Sequence, residues 1–135
     1  MSKFCSENWL KGELANMVCQ GHSVPAGYFK TPVVDTYNAY PNLLRAGLVK
    51  RFNHAVINVI VSAVSGESSE AGAGRFEKDA LPCNPKVITI DYALNDRYID
   101  KDPKVSLDRA KGAWISMIER AQANGDQSHP PDSDR

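Results

Sequence analysis

Apolar residues occur in three short blocks, and a stretch with helical periodicity follows each of them. The blocks cover residues 15–19, 55–64 and 86–92, and the second and third are rich in β-branched side chains, as buried strands are. Helices are predicted over residues 37–51, from 68 or 69 to 81, and over 106–124. Alternating strands and helices indicate βαβ units, so we expect a parallel sheet with helices on its faces.

Two segments are predicted to lie outside these strands and helices, one internal and one at the C-terminus. Residues 24–36 contain two prolines and a glycine, which indicates a loop. Gly125 follows the third helical pattern and is placed as its C-cap. We therefore expect one domain over residues 1–125 and a polar tail over residues 126–135.

Composition excludes several classes of function. The 135 residues are 42% apolar and 24% charged, which suits one globular domain. Sixteen basic residues balance sixteen acidic ones, so neither a nucleic acid nor an anionic membrane is an expected partner. No secretory signal is visible, and the three cysteines are widely spaced, so a cytoplasmic location is expected, with no disulfide framework or zinc site.

Residues able to do chemistry follow each predicted strand. Ser23 comes directly after the first strand, where a turn exposes its hydroxyl group, although the same tripeptide would suit an ordinary glycine turn. Gly66 follows the second strand and could aim a backbone N–H at a ligand. Asn95 follows the third strand and carries a side-chain amide. The carboxyl ends of parallel strands share one edge, so these three loops should lie together.

Three sequence blocks, GHSVPAGY, SGESS and YALND, resemble in order those of the SGNH hydrolases, the GDSL-type lipases and esterases. Ser23, Gly66 and Asn95 match the family's Ser, Gly and Asn. His22 stands where the family usually has Asp, and Ala93 where it has Gly. The resemblance implies a three-layer, flavodoxin-like parallel sheet, here shortened at the C-terminus. It also implies ester hydrolysis by Ser23 without metal or cofactor, with an oxyanion hole made by Ser23, Gly66 and Asn95.

The family's fourth block is an Asp-x-x-His that supplies the general base and the residue that orients it. Asp126 and His129 fit this pattern, but only about thirty residues separate Asp96 from His129. Two interpretations stay open: a true catalytic pair in a shortened protein, or a chance match in a truncated, catalytically weak domain. His22 is expected to point away from Ser23, and Asp91 is expected to be solvated or bonded to backbone.

The expected function is hydrolysis of a small, carbohydrate or lipid ester through an acyl-serine intermediate. A nucleotide-binding module is a further alternative, resting on Gly72 and Gly74 without a complete phosphate-loop motif. The third strand has no later strand to pair with, and the third helix presents apolar residues beyond the sheet. We therefore expect homo-oligomers joined at this edge of the sheet.

Overall fold

The computed structural model describes residues 14–128, with side chains described through residue 125. Its strands and helices, in chain order, are β1 (Ala15–Gly21), α1 (Ser23–Ala26), β2 (Tyr28–Lys30), β3 (Val33–Val34), α2 (Tyr40–Arg51), β4 (Ile57–Ala63), α3 (Ser69–Asp79), β5 (Val87–Asp91), α4 (Ala93–Asp96) and α5 (Pro103–Ser128). Short 3-10 turns cover Thr36–Asn38 and Leu81–Cys83.

The main sheet has three parallel strands in the order β4-β1-β5. Gly21, the last residue of β1, is in register with Ala63 at the end of β4 and with Asp91 at the end of β5. All three strands therefore end at one edge, which we call the carboxyl edge. The loops that leave this edge are the three that carry the candidate residues.

Helices cover both faces of this sheet. On one face, α3 and α5 enclose a core of fully buried side chains: Val18, Phe76, Ala80, Tyr92 and Met117. On the other face, the Tyr40 hydroxyl at the start of α2 bonds the Thr89 hydroxyl of β5 at 2.9 Å. Burial raises the pKa of Tyr40 to about 12, so this hydroxyl stays protonated. The result is the three-layer α/β arrangement with a parallel sheet that the alternating pattern predicts.

Helix α5 is longer than its pattern predicts. It runs to Ser128, so Gly125 lies inside the helix and is not its C-cap, and the predicted tail begins as helix. A glycine inside a helix costs about 1 kcal/mol against alanine, which a long packed helix can absorb. Neither α5 nor any other helix within residues 14–128 is long and apolar enough to cross a membrane.

The predicted loop over residues 24–36 is also more ordered than expected. It contains α1 and an antiparallel hairpin formed by β2 and β3. Gly27 ends α1 with φ +91°, and a Cβ there would lie 2.5 Å from the Asp35 carbonyl oxygen. The backbone N–H of Asp35 donates to the Gly27 carbonyl at 2.7 Å, which closes the hairpin back onto the end of α1.

Candidate active site

Ser23 is the first residue of α1, two residues after β1 ends at Gly21. A Cβ on Gly21 would lie 2.6 Å from the Asp91 carbonyl oxygen and 2.7 Å from Pro25 Cγ, so only glycine fits this turn. The backbone N–H of Ser23 has no partner within the helix because it belongs to the first turn. The sharp turn thus holds a half-buried serine at the carboxyl edge with its own N–H uncommitted to the helix.

His22 precedes the nucleophile candidate and is the N-cap of α1. Its Nδ1 accepts from the Val24 N–H at 3.3 Å and lies 3.3 Å from Ser23 Oγ. Its Nε2 lies 3.4 Å from Asp91 Oδ1, and the His22 side chain is 1% exposed. The expectation that His22 points away from Ser23 is wrong, because an N-cap side chain folds back over the first turn of its helix.

Gly66 lies in the turn after β4 and has a φ of +75°, a conformation that favours glycine. The Val64 N–H bonds the Gly21 carbonyl at 3.0 Å, which ties the start of this turn to the end of β1. The next residue, Glu67, is fixed by its carboxylate, to which Arg75 donates at 2.8 and 2.6 Å and Tyr92 at 3.0 Å.

Asn95 lies in α4, directly beyond the end of β5. Its side-chain Nδ2 donates to the Glu67 backbone carbonyl at 2.9 Å, which links the second and third sequence blocks. A side-chain amide has two N–H groups, so one can serve this bond while the other remains for a ligand. The Asn95 side chain is half-buried, so part of it remains accessible from solvent.

The neighbouring Asp96 connects α3 and α5 through two hydrogen bonds. Its Oδ1 accepts from the Ser69 N–H at 2.7 Å and its Oδ2 from Trp114 Nε1 at 2.8 Å. It therefore caps α3, and it fixes α5 against the segment that carries Asn95. Ser68 occupies the N-cap position but makes no side-chain capping bond.

The last turn of α5, which contains Asp126, stands apart from this cluster. Trp114 is level with Asp96 near the carboxyl edge, and α5 runs from there towards Gly125, which lies beside Pro85 and Lys86 before the start of β5. Twelve residues of helix span about 18 Å, so the last turn of α5 is near the opposite edge of the sheet. The Asp126 side chain and all of His129 lie outside the described residues.

The structure thus brings Ser23, Gly66 and Asn95 into loops at one edge, and adds His22 and Asp91 beside Ser23. A signal for the latter pair is present in the sequence: His22 follows a strand at an N-cap position, and Asp91 ends the neighbouring strand. The nucleotide-binding alternative loses its support, because Gly72 and Gly74 lie inside α3 rather than in a loop, with Gly72 against the Tyr92 ring.

No curated protein matches the chain. Among solved structures, AlinE4, an SGNH-hydrolase family esterase, is 24% identical with a TM-score of 0.64, over 83% of this chain and 55% of that one. TesA is 22% identical with a TM-score of 0.66, over 82% and 56%. The psychrotrophic esterase EstA from Pseudoalteromonas sp., solved with monoethylphosphonate as inhibitor, is 16% identical with a TM-score of 0.64, over 81% and 54%.

These likenesses establish the SGNH-hydrolase fold, and the chain spans about half the length of the structures it matches. The sequence model of the GDSL-like lipase/acylhydrolase family matches residues 19–131, most of the chain. The matched range includes Ser23, Gly66 and Asn95, whose three blocks carried the resemblance. The chain belongs to the GDSL-like lipase/acylhydrolase family.

Proposed function

We propose that this chain is a serine ester hydrolase domain in which Ser23 forms the acyl intermediate. The observation that carries the proposal is the strand-to-helix turn that holds Ser23 at the carboxyl edge, beside a histidine nitrogen 3.3 Å from its Oγ. A serine hydroxyl is a weak nucleophile unless an adjacent base takes its proton. This turn provides both the accessible hydroxyl and a nitrogen within reach of it.

The oxyanion would be met by the backbone N–H groups of Ser23 and Gly66 and by the Asn95 amide. Support comes from the positive φ of Gly66 and from the bond that holds the Asn95 side chain to the Glu67 carbonyl. Donors fixed in advance do not have to reorganise as charge develops, which is why such groups accelerate acyl transfer. The substrate would be a small, carbohydrate or lipid ester.

An alternative for the general base and its orienting carboxylate is the pair that the family resemblance implies, His129 and Asp126. The family match extends to residue 131 and so includes both residues. Gly125, the residue before Asp126, lies near the start of β5, at the opposite edge of the sheet from Ser23. The variant His129→Ala tests this proposal, since an unchanged rate of hydrolysis would exclude His129 as the base.

A fluorophosphonate probe tests the proposed function, because it forms a covalent bond only with an activated serine. We expect stoichiometric labelling, mapped by peptide mass spectrometry to Ser23. A heat-denatured sample, which retains every serine but not the turn, is the control and should stay unlabelled. Absence of labelling in the folded chain, or labelling at another serine, would contradict the proposal.

Replacing Asn95 with alanine is expected to lower kcat by about 10²–10³-fold, the usual effect of losing one oxyanion donor, with little change in KM. The measurement is steady-state hydrolysis of p-nitrophenyl acetate. Asn58→Ala is the matched control: its amide donates to Asn16 Oδ1 at 2.9 Å near the opposite edge. Equal losses of activity in the two variants would show a general structural effect and contradict the role of Asn95.

We also propose that two copies of the chain associate through the β5 edge. Within residues 14–128, β5 pairs with β1 alone, so the backbone groups on its outer side are available to another strand. Nearby on α5, Ile115 and Ile118 are 55% and 44% exposed, so the edge is lined by apolar surface. A second copy can pair with the open strand edge and cover the apolar surface, because it carries an identical strand and an identical apolar face.

We expect light scattering coupled to size exclusion to give the mass of a dimer or a larger assembly at high protein concentration. The double variant Ile115→Glu with Ile118→Glu places like charges in the contact and should shift the chain to monomer. Val24→Glu is the control, because Val24 is an exposed residue of α1, which packs against β4 on the other side of β1 from β5. A monomeric parent chain at high concentration would contradict the association.

A further inference from the structure

His22 Nδ1 carries a lone pair that faces Ser23. The backbone N–H of Val24 donates to this nitrogen at 3.3 Å, so in the neutral ring the proton belongs on Nε2. Ser23 Oγ lies 3.3 Å from the same nitrogen and can therefore donate its proton to it. Both contacts are long, as expected when two donors share one lone pair and no substrate is bound.

The other ring nitrogen faces a carboxylate. His22 Nε2 lies 3.4 Å from Asp91 Oδ1, and the His22 side chain is 1% exposed whereas that of Asp91 is 35% exposed. Within residues 14–128, Nε2 has no partner that meets hydrogen-bond geometry, although it is buried. When this buried imidazole accepts a proton on Nδ1, it becomes positively charged. The Asp91 carboxylate, at ion-pair distance, is already in place as the counterion.

The backbone fixes this arrangement. The His22 N–H donates to the Asp91 carbonyl at 3.1 Å, and Gly21 is the register partner of Asp91. The two strand ends are thus clamped, and the N-cap geometry directs the imidazole between Asp91 and Ser23. The partial positive charge at the N-terminus of α1 disfavours a cation there. The helix has only four residues, however, and the full negative charge of the Asp91 carboxylate opposes that partial charge.

We propose, resting on the proposed esterase function, that His22 is the general base for Ser23 and that Asp91 holds and stabilises its imidazolium form. The roles are those of a Ser-His-Asp triad with the ring reversed, so that Nδ1 faces the serine and Nε2 faces the acid. This chain thereby has a base in its first block, where the family usually has an aspartate. The base is independent of His129.

The acylation step proceeds as follows. Ser23 Oγ forms a bond to the ester carbonyl carbon, the carbonyl π electrons move to oxygen as the oxyanion, and the Oγ proton moves to His22 Nδ1. When the oxyanion collapses, the bond to the alkoxide breaks, and the Nδ1 proton passes to that leaving group as an alcohol. In deacylation the oxygen of a water molecule forms a bond to the acyl carbon while His22 Nδ1 takes a proton from it. The second oxyanion then collapses, the bond between that carbon and Ser23 Oγ breaks to release the acid, and the Nδ1 proton returns to Oγ.

His22 could instead be only a helix cap, and His22→Asn separates the two roles. An asparagine side-chain oxygen can accept from the Val24 N–H, and Asn is among the best N-cap residues, but its amide cannot accept the serine proton. We expect kcat for p-nitrophenyl acetate to fall by about 10²–10⁴-fold, the usual contribution of a general base. The urea unfolding midpoint should stay unchanged. An Asn variant with full activity would overturn the proposal.

Two further measurements exclude a purely structural effect. The pH profile of kcat/KM should differ between the parent and His22→Asn, because only the parent carries an imidazole beside Ser23. Added imidazole should partly restore hydrolysis in His22→Ala. Asp91→Asn should lower kcat by less than His22→Asn does, since the base itself remains. A pH profile that is identical in the parent and His22→Asn would overturn the proposal.

The fluorophosphonate probe separates this inference from the proposed function. We expect it to label Ser23 much faster in the parent than in His22→Asn. Equal labelling of the two chains would overturn the role of His22 while the esterase proposal stands. A parent chain that neither hydrolyses nor labels would overturn both.

Discussion

Ser23→Ala is expected to lower kcat for p-nitrophenyl acetate by about 10³–10⁶-fold, because removing the nucleophile of an acyl-transfer site leaves only binding and the oxyanion donors. Stability should change little, since Ser23 is half-buried and its hydroxyl makes one long contact, 3.3 Å from His22 Nδ1. The measurement is steady-state hydrolysis, with the urea midpoint of the same samples as a check on folding.

Ser65→Ala is the matched control for Ser23→Ala. Ser65 is an exposed serine in the turn after β4, at the same edge of the sheet, and should retain the parent rate. A Ser23→Ala variant that keeps the parent rate while remaining folded would show that hydrolysis uses another group. That result would remove both the acyl-serine mechanism and the role assigned to His22.

Arg75→Ala is expected to destabilise the chain by about 3–5 kcal/mol, because it leaves the Glu67 carboxylate buried without its cation. The Arg75 and Glu67 side chains are only 17% and 7% exposed, and Arg75 Nη2 lies 2.6 Å from Glu67 Oε2. Arg75 also donates to the Ser62 hydroxyl at 2.7 Å and to the Ser62 carbonyl at 3.0 Å. One guanidinium therefore joins the end of β4, the loop after it, and α3.

Arg75 and Tyr92 both keep their protons at the neutral pH of the measurement. Hydrogen bonds to Glu67 raise the pKa of Arg75 above its usual value, although burial lowers it. Because the pKa is raised, the stabilisation that the Arg75 cation gives to the folded state is lost only as pH rises through the folded-state pKa. The cation therefore persists at neutral pH. Burial and the Glu67 charge raise the pKa of Tyr92, whose hydroxyl remains a donor.

The measurement for Arg75→Ala is urea unfolding at neutral pH, with Arg109→Ala as the control. Arg109 donates to Glu70 at 2.6 Å, but the two side chains are 46% and 36% exposed, and solvent weakens such a pair. Its removal should shift the urea midpoint far less. Arg75→Lys keeps the charge and loses the planar fork, so an intermediate loss is expected. Equal shifts for Arg75→Ala and Arg109→Ala would contradict the importance of the buried cluster.

Replacing Arg75 should also lower the activity of the chain. The Glu67 carbonyl accepts from the Asn95 amide, so the loop that Arg75 holds also positions the proposed oxyanion donor. We expect the folded fraction of Arg75→Lys to show a lower kcat than the parent. This result would connect the buried ion pair to catalysis through a named contact.

The sequence alone was sufficient for the parallel sheet, for its three strands with the long helix that follows each, and for the family. Strand and helix periodicities reflect local burial. Ser23, Gly66 and Asn95 each come shortly after a strand, so their shared edge follows from chain direction once the strands are parallel. Element ends were less certain: Gly125 suggested a cap, whereas packing of α5 carries the helix past it to Ser128.

Only the tertiary structure decided what faces Ser23. The direction of the His22 ring depends on its N-cap geometry and on the clamp between Gly21 and Asp91, two residues seventy positions apart in the chain. Similarly, Asp96 caps α3 and Glu67 accepts from Arg75 and Tyr92 across different elements. Side-chain partners of this kind depend on strand register and helix packing, because a local pattern specifies which face a residue occupies and not which group it meets there.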